Sequence, residues 1–196
     1  MKNLQLNGSL RPDFGKKAAK LIRKDHEVPC VLYGGKEVAH FQVKANDVHG
    51  LIYTPDIFTI ELNIDGKKSM AILQEAQFHP VSDDVLHLDF LEIFDNKPIL
   101  MDVPVRLNGL SQGVKDGGKL SQELRRIKVK GLYQDIPDVL NVDVKSLGLG
   151  KTLQVGQLHF DNLELVTGKQ VVVCAVKLTR VARGLAAAAA QGGEAK

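Results

Sequence analysis

The sequence predicts a mainly β protein with a few short helices, arranged as two β-rich parts. Three observations carry this. Short runs with apolar/polar alternation or β-branched residues recur along the chain, as strands do. Ile64 to Lys67 reads IDGK, and an Asp-Gly pair between two such runs marks a hairpin because both residues tolerate positive φ. A polar turn cluster with a proline, FDNKPILMD from Phe94 to Asp102, breaks the pattern and divides the chain. A length of 196 residues fits one or two domains, and that break favours two.

In chain order, Leu4 to Gly8 is the first expected strand. Gly15 to Lys24, GKKAAKLIRK, then switches to a helical pattern. At about 100° per residue, Lys16, Lys17, Lys20, Arg23 and Lys24 share one arc of roughly 120°. Ala18, Ala19, Leu21 and Ile22 fill the opposite arc, which predicts an apolar side laid on a core. Strands follow at Val28 to Tyr33 and His40 to Val43. Asn46 is the expected N-cap of a short helix from Asp47 to about Ile52. Phe58 to Ile64 and Lys68 to Gln77 flank the Asp-Gly turn, and Val85 to Ile93 ends the first half. The second half offers strands at Val103 to Leu107, Arg126 to Gly131, Val139 to Val144 and Val171 to Val181. The final GLAAAAAQGGEAK lacks a sustained apolar period and reads as frayed helix or disorder.

Composition narrows the function. Aromatic residues make up 5% of the chain and Trp is absent, which argues against a large aromatic-lined ligand cavity. The net charge of +3 is too mild to mark nucleic-acid binding by itself, so clustering has to carry that argument. The first half holds slightly more anions than cations, and its cations concentrate on the one helix. Cys30 and Cys174 form no paired metal-ligand spacing. An N-terminus reading MKNLQLNGSLR has no apolar signal core, and no run approaches the roughly 20 apolar residues of a membrane span. A reduced, cytoplasmic setting is expected.

Three motifs carry candidate chemistry. The five cations of GKKAAKLIRK form either a solvated helix face or a phosphate-binding one. GVKDGGKL, Gly113 to Leu120, has the G-x-x-x-x-G-K spacing of a nucleotide-binding loop, but Leu120 stands where a hydroxyl residue would hold magnesium. A glycine-rich β-turn between strands explains it. In QFHPVSDDVLHLDF, Gln77 to Phe90, an extended chain sends His87 and Asp89 to one face and Leu86, Leu88 and Phe90 to the other. Such a pair serves catalysis, metal binding or a hydrogen-bonding surface. No nucleophile signature accompanies it, and His79 alone is a weak third ligand. Gln74 and Gln77 enlarge the polar surface.

LRPDFGKKAAKLIRKDHEVPCVLYGGKE followed by QFHPVSDDVLHLDF resembles the bacterial large-subunit ribosomal proteins numbered twenty-five, which bind 5S ribosomal RNA. VPVRLNGLSQGVKDGGKLSQELRRIKV and DIPDVLNVDVKSLGLG are similar to the extra C-terminal domain of that family's longer type, the CTC or general stress form. The resemblance implies a small N-terminal β-barrel domain, residues 1–94, docking on loop E of 5S RNA. It also implies a second β-rich domain, 95–183, and does not extend to the Ala- and Gly-rich tail, 184–196, expected to be flexible from its composition. By position it implies that Arg11, Lys16, Lys20 and Arg23 contact phosphates or base edges, with Tyr33 at the same surface. Gln74, Gln77, His79, His87 and Asp89 would complete the RNA-binding set from the polar strands. Ala19 stands where a hydroxyl residue is common, and Lys20 replaces a frequent Arg, losing its two-pronged fork. The implied protein is a non-enzymatic ribosomal component without a cofactor or small-molecule substrate, with 5S RNA and neighbouring large-subunit components as partners. A cytosolic β-rich stress or interaction protein, with RNA binding secondary, is the alternative.

Overall fold

Six strands of the first half close on themselves. In the computed structural model, which describes residues 2–35, 37–160, 162–180 and 182, β1 is Lys2–Leu10, β2 Glu27–Tyr33, β3 Ala39–Lys44, β4 Phe58–Ile64, β5 Lys67–Phe78 and β6 Val85–Glu92. They form a closed barrel in the order β1-β3-β2-β6-β5-β4. The β1–β4 and β2–β6 pairs are parallel and the other four antiparallel. Closure leaves no open sheet edge, which suits a small domain that has few helices to cover one. Alternate residues point inward: Leu6, Cys30, Phe41, Ile60, Leu62, Leu88 and Phe90 are each at most 1% exposed. Phe41 and Phe90 meet at a centroid distance of 5.7 Å. Fully burying side chains of this size contributes about 1.5–3 kcal/mol each.

The Asp-Gly turn joins β4 to β5 as predicted, with φ of 45° at Asp65 and 88° at Gly66. Two helices lie outside the barrel strands, α1 at Lys16–Lys24 and α2 at Ala45–Ile52. Two expectations need correction here. Lys44, not Asn46, occupies the N-cap position of α2, and it makes no side-chain cap. The helix starts earlier because β3 runs straight into it, and the Ala45 N–H bonds the His26 carbonyl at 3.0 Å. In α1 no residue is buried. Ala18, Ala19 and Ile22 are half-buried, whereas Leu21 is 62% exposed beside the cations. The helix rests on the barrel along a stripe narrower than its apolar arc.

The chain divides into two compact units, Met1–Met101 with Leu132–Asp138, and Asp102–Gly131 with Val139–Lys196. In the later part of the chain β7 is Ile99–Asn108, α3 Gln112–Lys115, β8 Lys119–Gln122, β9 Arg126–Gly131, β10 Leu140–Asp143, β11 Thr152–Gln154, β12 Glu164–Leu165 and β13 Val172–Lys177. They form a four-stranded sheet, β10-β7-β9-β12, and a three-stranded one, β11-β13-β8. The strand expected at Val171 to Val181 ends at Lys177, and β8, β11 and β12 carry too few residues for alternation to reveal them. The tail expected at 184–196 lies outside the described residues.

GVKDGGKL is not a simple β-turn. Ser111 caps α3 by accepting from the Val114 N–H at 3.3 Å, and the chain then turns at Gly117, φ 87°, into β8. Gly113 is fixed by packing, since an added Cβ would stand 2.6 Å from the backbone of Gly148 and Leu149. The segment feeds a strand antiparallel to β13, not the helix of a parallel β-α unit that cradles a nucleotide.

Each unit holds one free cysteine, Cys30 and Cys174, both 0% exposed. Burial pushes the Cys30 thiol far up, opposed by Arg11 and assisted by Asp89, and burial also raises Cys174. Thiolate is the reactive form, so neither side chain should react with a disulfide reagent at pH 8 until its unit unfolds. Labelling during a denaturant titration, read by mass spectrometry, tests this. Rapid native labelling of Cys30 would contradict the barrel core.

Candidate nucleic-acid interface

The polar face predicted on β5 and β6 is built by two bulges. On β6, Leu88 and Phe90 point into the core, so His87 and Asp89 point out. Across the ladder Glu75 opposes Asp89 and Gln77 opposes His87. Counted from Leu73, which opposes the core residue Phe90, regular alternation would send Glu75 and Gln77 inward and Ala76 out. The register instead shifts between Leu73 and Glu75, which makes Gln74 an extra residue and leaves it exposed with Glu75 and Gln77. A second shift pairs Phe78 with Val85 directly after Gln77 with His87, leaving Leu86 unpaired in the ladder.

That unpaired residue anchors the basic helix. Arg23 donates from Nε and Nη2 to the Leu86 carbonyl oxygen at 3.0 and 2.9 Å. A cation expected to face a ligand thus also clamps α1 to the barrel beside His87. Lys16 and Lys20 are exposed. Lys17, Leu21, Arg23 and Lys24 are likewise exposed along the helix. Gly15 opens α1 at φ 99° with no side-chain cap and no acidic residue in the first turn, so the helix end adds its own positive field to the lysines.

His87 and Asp89 form a pair. His87 Nδ1 lies 2.6 Å from Asp89 Oδ1, and both side chains are 27% exposed rather than fully in solvent. With Nδ1 donating to the carboxylate, Nε2 and the second carboxylate oxygen remain for a ligand. Tyr33 stands on the same outer face, where burial first and then the Asp89 and Glu75 charges raise its hydroxyl pKa above the ordinary value. Glu75, absent from the sequence-based set, was legible by its two-residue spacing from Gln77.

His79 has a different employment. Its Nδ1 accepts from the backbone N–H groups of Val81 and Ser82 at 3.4 and 3.2 Å, holding the turn between β5 and β6. Accepting there assigns the ring hydrogen to Nε2, leaving one outward donor. Arg11 stands apart from the strand pair. Its guanidinium lies 5.8 Å over the Phe14 ring, and Phe14 meets the His40 ring edge-on at 5.1 Å. The structure therefore joins Tyr33, Glu75, Gln77, His87 and Asp89 in one patch, links it to α1 through Arg23, and puts Arg11 in a separate aromatic cluster. Among the described residues no group of three His, Cys, Asp or Glu side chains is placed to hold a metal ion, and no helix is long and apolar enough to cross a membrane.

The carboxylate environment of Tyr33 gives a signed prediction. Negative neighbours oppose phenolate formation, so Asp89→Asn should lower the Tyr33 pKa part of the way toward its ordinary value of 10.0. Burial, the larger cause, persists in the variant. Ultraviolet titration in a Tyr53→Phe, Tyr133→Phe background isolates the group. An unchanged or higher pKa would separate Tyr33 from this patch.

Comparison with known proteins identifies relatives of both halves of the chain. A family model described as Ribosomal L25p family matches residues 6–90, and one described as Ribosomal protein TL5, C-terminal domain, matches 98–180. Large ribosomal subunit protein bL25 of Porphyromonas gingivalis is 57% identical over 188 residues, covering 95% of this chain and 98% of its own. The proteins of that name from Phocaeicola vulgatus and Bacteroides thetaiotaomicron are 55% and 54% identical, each covering 96% of this chain and 99% of its own. These relatives are ribosomal structural proteins rather than enzymes. A closed barrel under the first match and a second β-rich region under the other assign the chain to the ribosomal L25p family, in the form that carries a TL5-type C-terminal domain.

Proposed function

We propose that the chain is a non-enzymatic component of the cytoplasmic large ribosomal subunit that binds 5S ribosomal RNA at loop E through an N-terminal domain of residues 1–94. The observation that carries this is the Arg23 clamp, which holds a cationic helix against a rigid face of amide, imidazole and carboxylate groups. Structured RNA is recognised by shape, 2′-hydroxyls and phosphates, and by the edges of bases in irregular segments. Lys16 and Lys20 supply phosphate attraction. His87, Asp89 and Gln77 supply directed donors and acceptors, and the barrel keeps them in register. All six barrel strands lie before residue 95, so the domain contains the whole proposed surface. The family resemblance adds neighbouring large-subunit components as further partners of the chain.

Binding of the full chain to 5S RNA should drop sharply when loop E is replaced by a regular Watson–Crick helix. Equal affinity for both RNAs would remove the proposed specificity. Lys20→Ala should weaken binding and flatten the dependence of log affinity on log salt by about 0.7–0.9 for a lost phosphate contact. His87→Ala should weaken binding by about 1–3 kcal/mol, by analogy with a base-directed contact in DNA, and leave that slope unchanged. A flattened slope for His87→Ala, or none for Lys20→Ala, would reverse the assigned roles.

A further inference from the structure

The barrel has an open mouth that the polar strand face does not use. A cavity of about 740 Å³ is lined there by residues from the same end of all six strands, including Leu10, Leu32, His40, Ile64, Lys67 and Glu92. Its floor is core, with Leu32 and Ile64 each 6% exposed. Its walls are apolar groups left open to solvent: Leu10 is 52%, Val38 59% and Phe14 64% exposed. Composition argued against a large aromatic-lined cavity, and this one holds only Phe14 and Phe94 besides the His40 ring. Concentrated apolar exposure of this kind marks a binding site.

Two features choose the occupant. The rim is cationic on balance, with Arg11, Lys67 and Lys68 against Glu37 and Glu92. The Arg11 guanidinium also stands at the mouth, a fork of N–H donors that an apolar plug would leave without acceptors. A flat heterocycle carrying ring acceptors and an attached phosphate answers all of these groups at once. It can lie against Phe14 and the aliphatic walls, accept from Arg11 and place its phosphate among the lysines. Position supplies the second argument. Phe14 precedes Lys16 by two residues, so their Cα atoms stand at most about 7 Å apart, and an RNA strand held on α1 passes the mouth.

We propose that this mouth takes one unstacked nucleobase of the RNA bound by α1 and the polar strand face. This rests on the RNA-binding reading above and extends it to a base pocket. Binding of the full chain to intact 5S RNA tests it. Phe14→Ala should lower affinity roughly 5- to 150-fold, the span of base–aromatic stacking, with the salt slope unchanged because no charge is lost. Phe14→Tyr keeps a ring and should retain most of the affinity, and Lys68→Ala should flatten the slope. Thermal midpoints of the variants should stay near that of the parent chain, since Phe14 is exposed. Wild-type affinity for Phe14→Ala overturns the pocket, and so does protection of the mouth amides by a free mononucleotide as strong as that by the RNA. Unchanged RNA affinity with failed incorporation into a reconstituted subunit would assign the mouth to a protein partner. If the parent chain itself does not bind 5S RNA, the RNA-binding reading fails first, and that result is distinct from a failure confined to Phe14 variants.

Discussion

Closing six strands into a barrel imposes one constraint that the rest of the first unit obeys: each strand must keep an apolar row facing inward around the whole circuit. β5 and β6 meet that constraint only with interruptions. Leu73 opposes Phe90 and Ala76 opposes Leu88, three residues apart on β5 but two on β6. Gln74 absorbs the difference, and the outer face gains an extra polar side chain at the level of Asp89. The second interruption frees the Leu86 carbonyl, which Arg23 then occupies. The core register thus determines both the polar face and the place where the basic helix is fastened.

Electrostatics follow from that fastening. Taken whole, the first half is not cationic, so long-range attraction for a polyanion has to come from the local density of Lys16, Lys17, Lys20 and Lys24. A flexible cationic segment would lose ordering entropy on binding. Two hydrogen bonds from Arg23, with half-buried Ala18, Ala19 and Ile22 beneath, order it beforehand. The His87–Asp89 pair works similarly at shorter range: the 2.6 Å contact orients the imidazole and fixes which nitrogen faces outward.

Much of this was legible in the sequence because it rests on periodicity. The runs at Phe58 to Ile64 and Arg126 to Gly131 coincide with β4 and β9, and the arc of cations on α1 follows from helix geometry. What alternation could not supply were the departures from it. Gln74 and Gln77 are an odd number of residues apart, so a regular strand separates them, and only the bulge reunites them. The clamp on Leu86 depends on a backbone carbonyl, which has no signature in residue type. Asn46 has good capping chemistry, but the continuous passage of β3 into α2 moved the helix start to Ala45. The aromatic cluster joins Arg11 and Phe14 to His40, which is distant in sequence, and short strands such as Glu164–Leu165 carry too few residues to show a period.

The central claim is that a pre-ordered surface made of α1 and the outer face of β5 and β6 binds the RNA. Hydrogen–deuterium exchange of the full chain, with and without saturating 5S RNA, measures this on the protein side. Slowed exchange should concentrate in Lys16–Lys24 and in the amides around Gln74 to Asp89, and α1 should already be protected in the free chain. Protection confined to residues beyond 102, or an α1 that exchanges freely until RNA is added, would contradict the account.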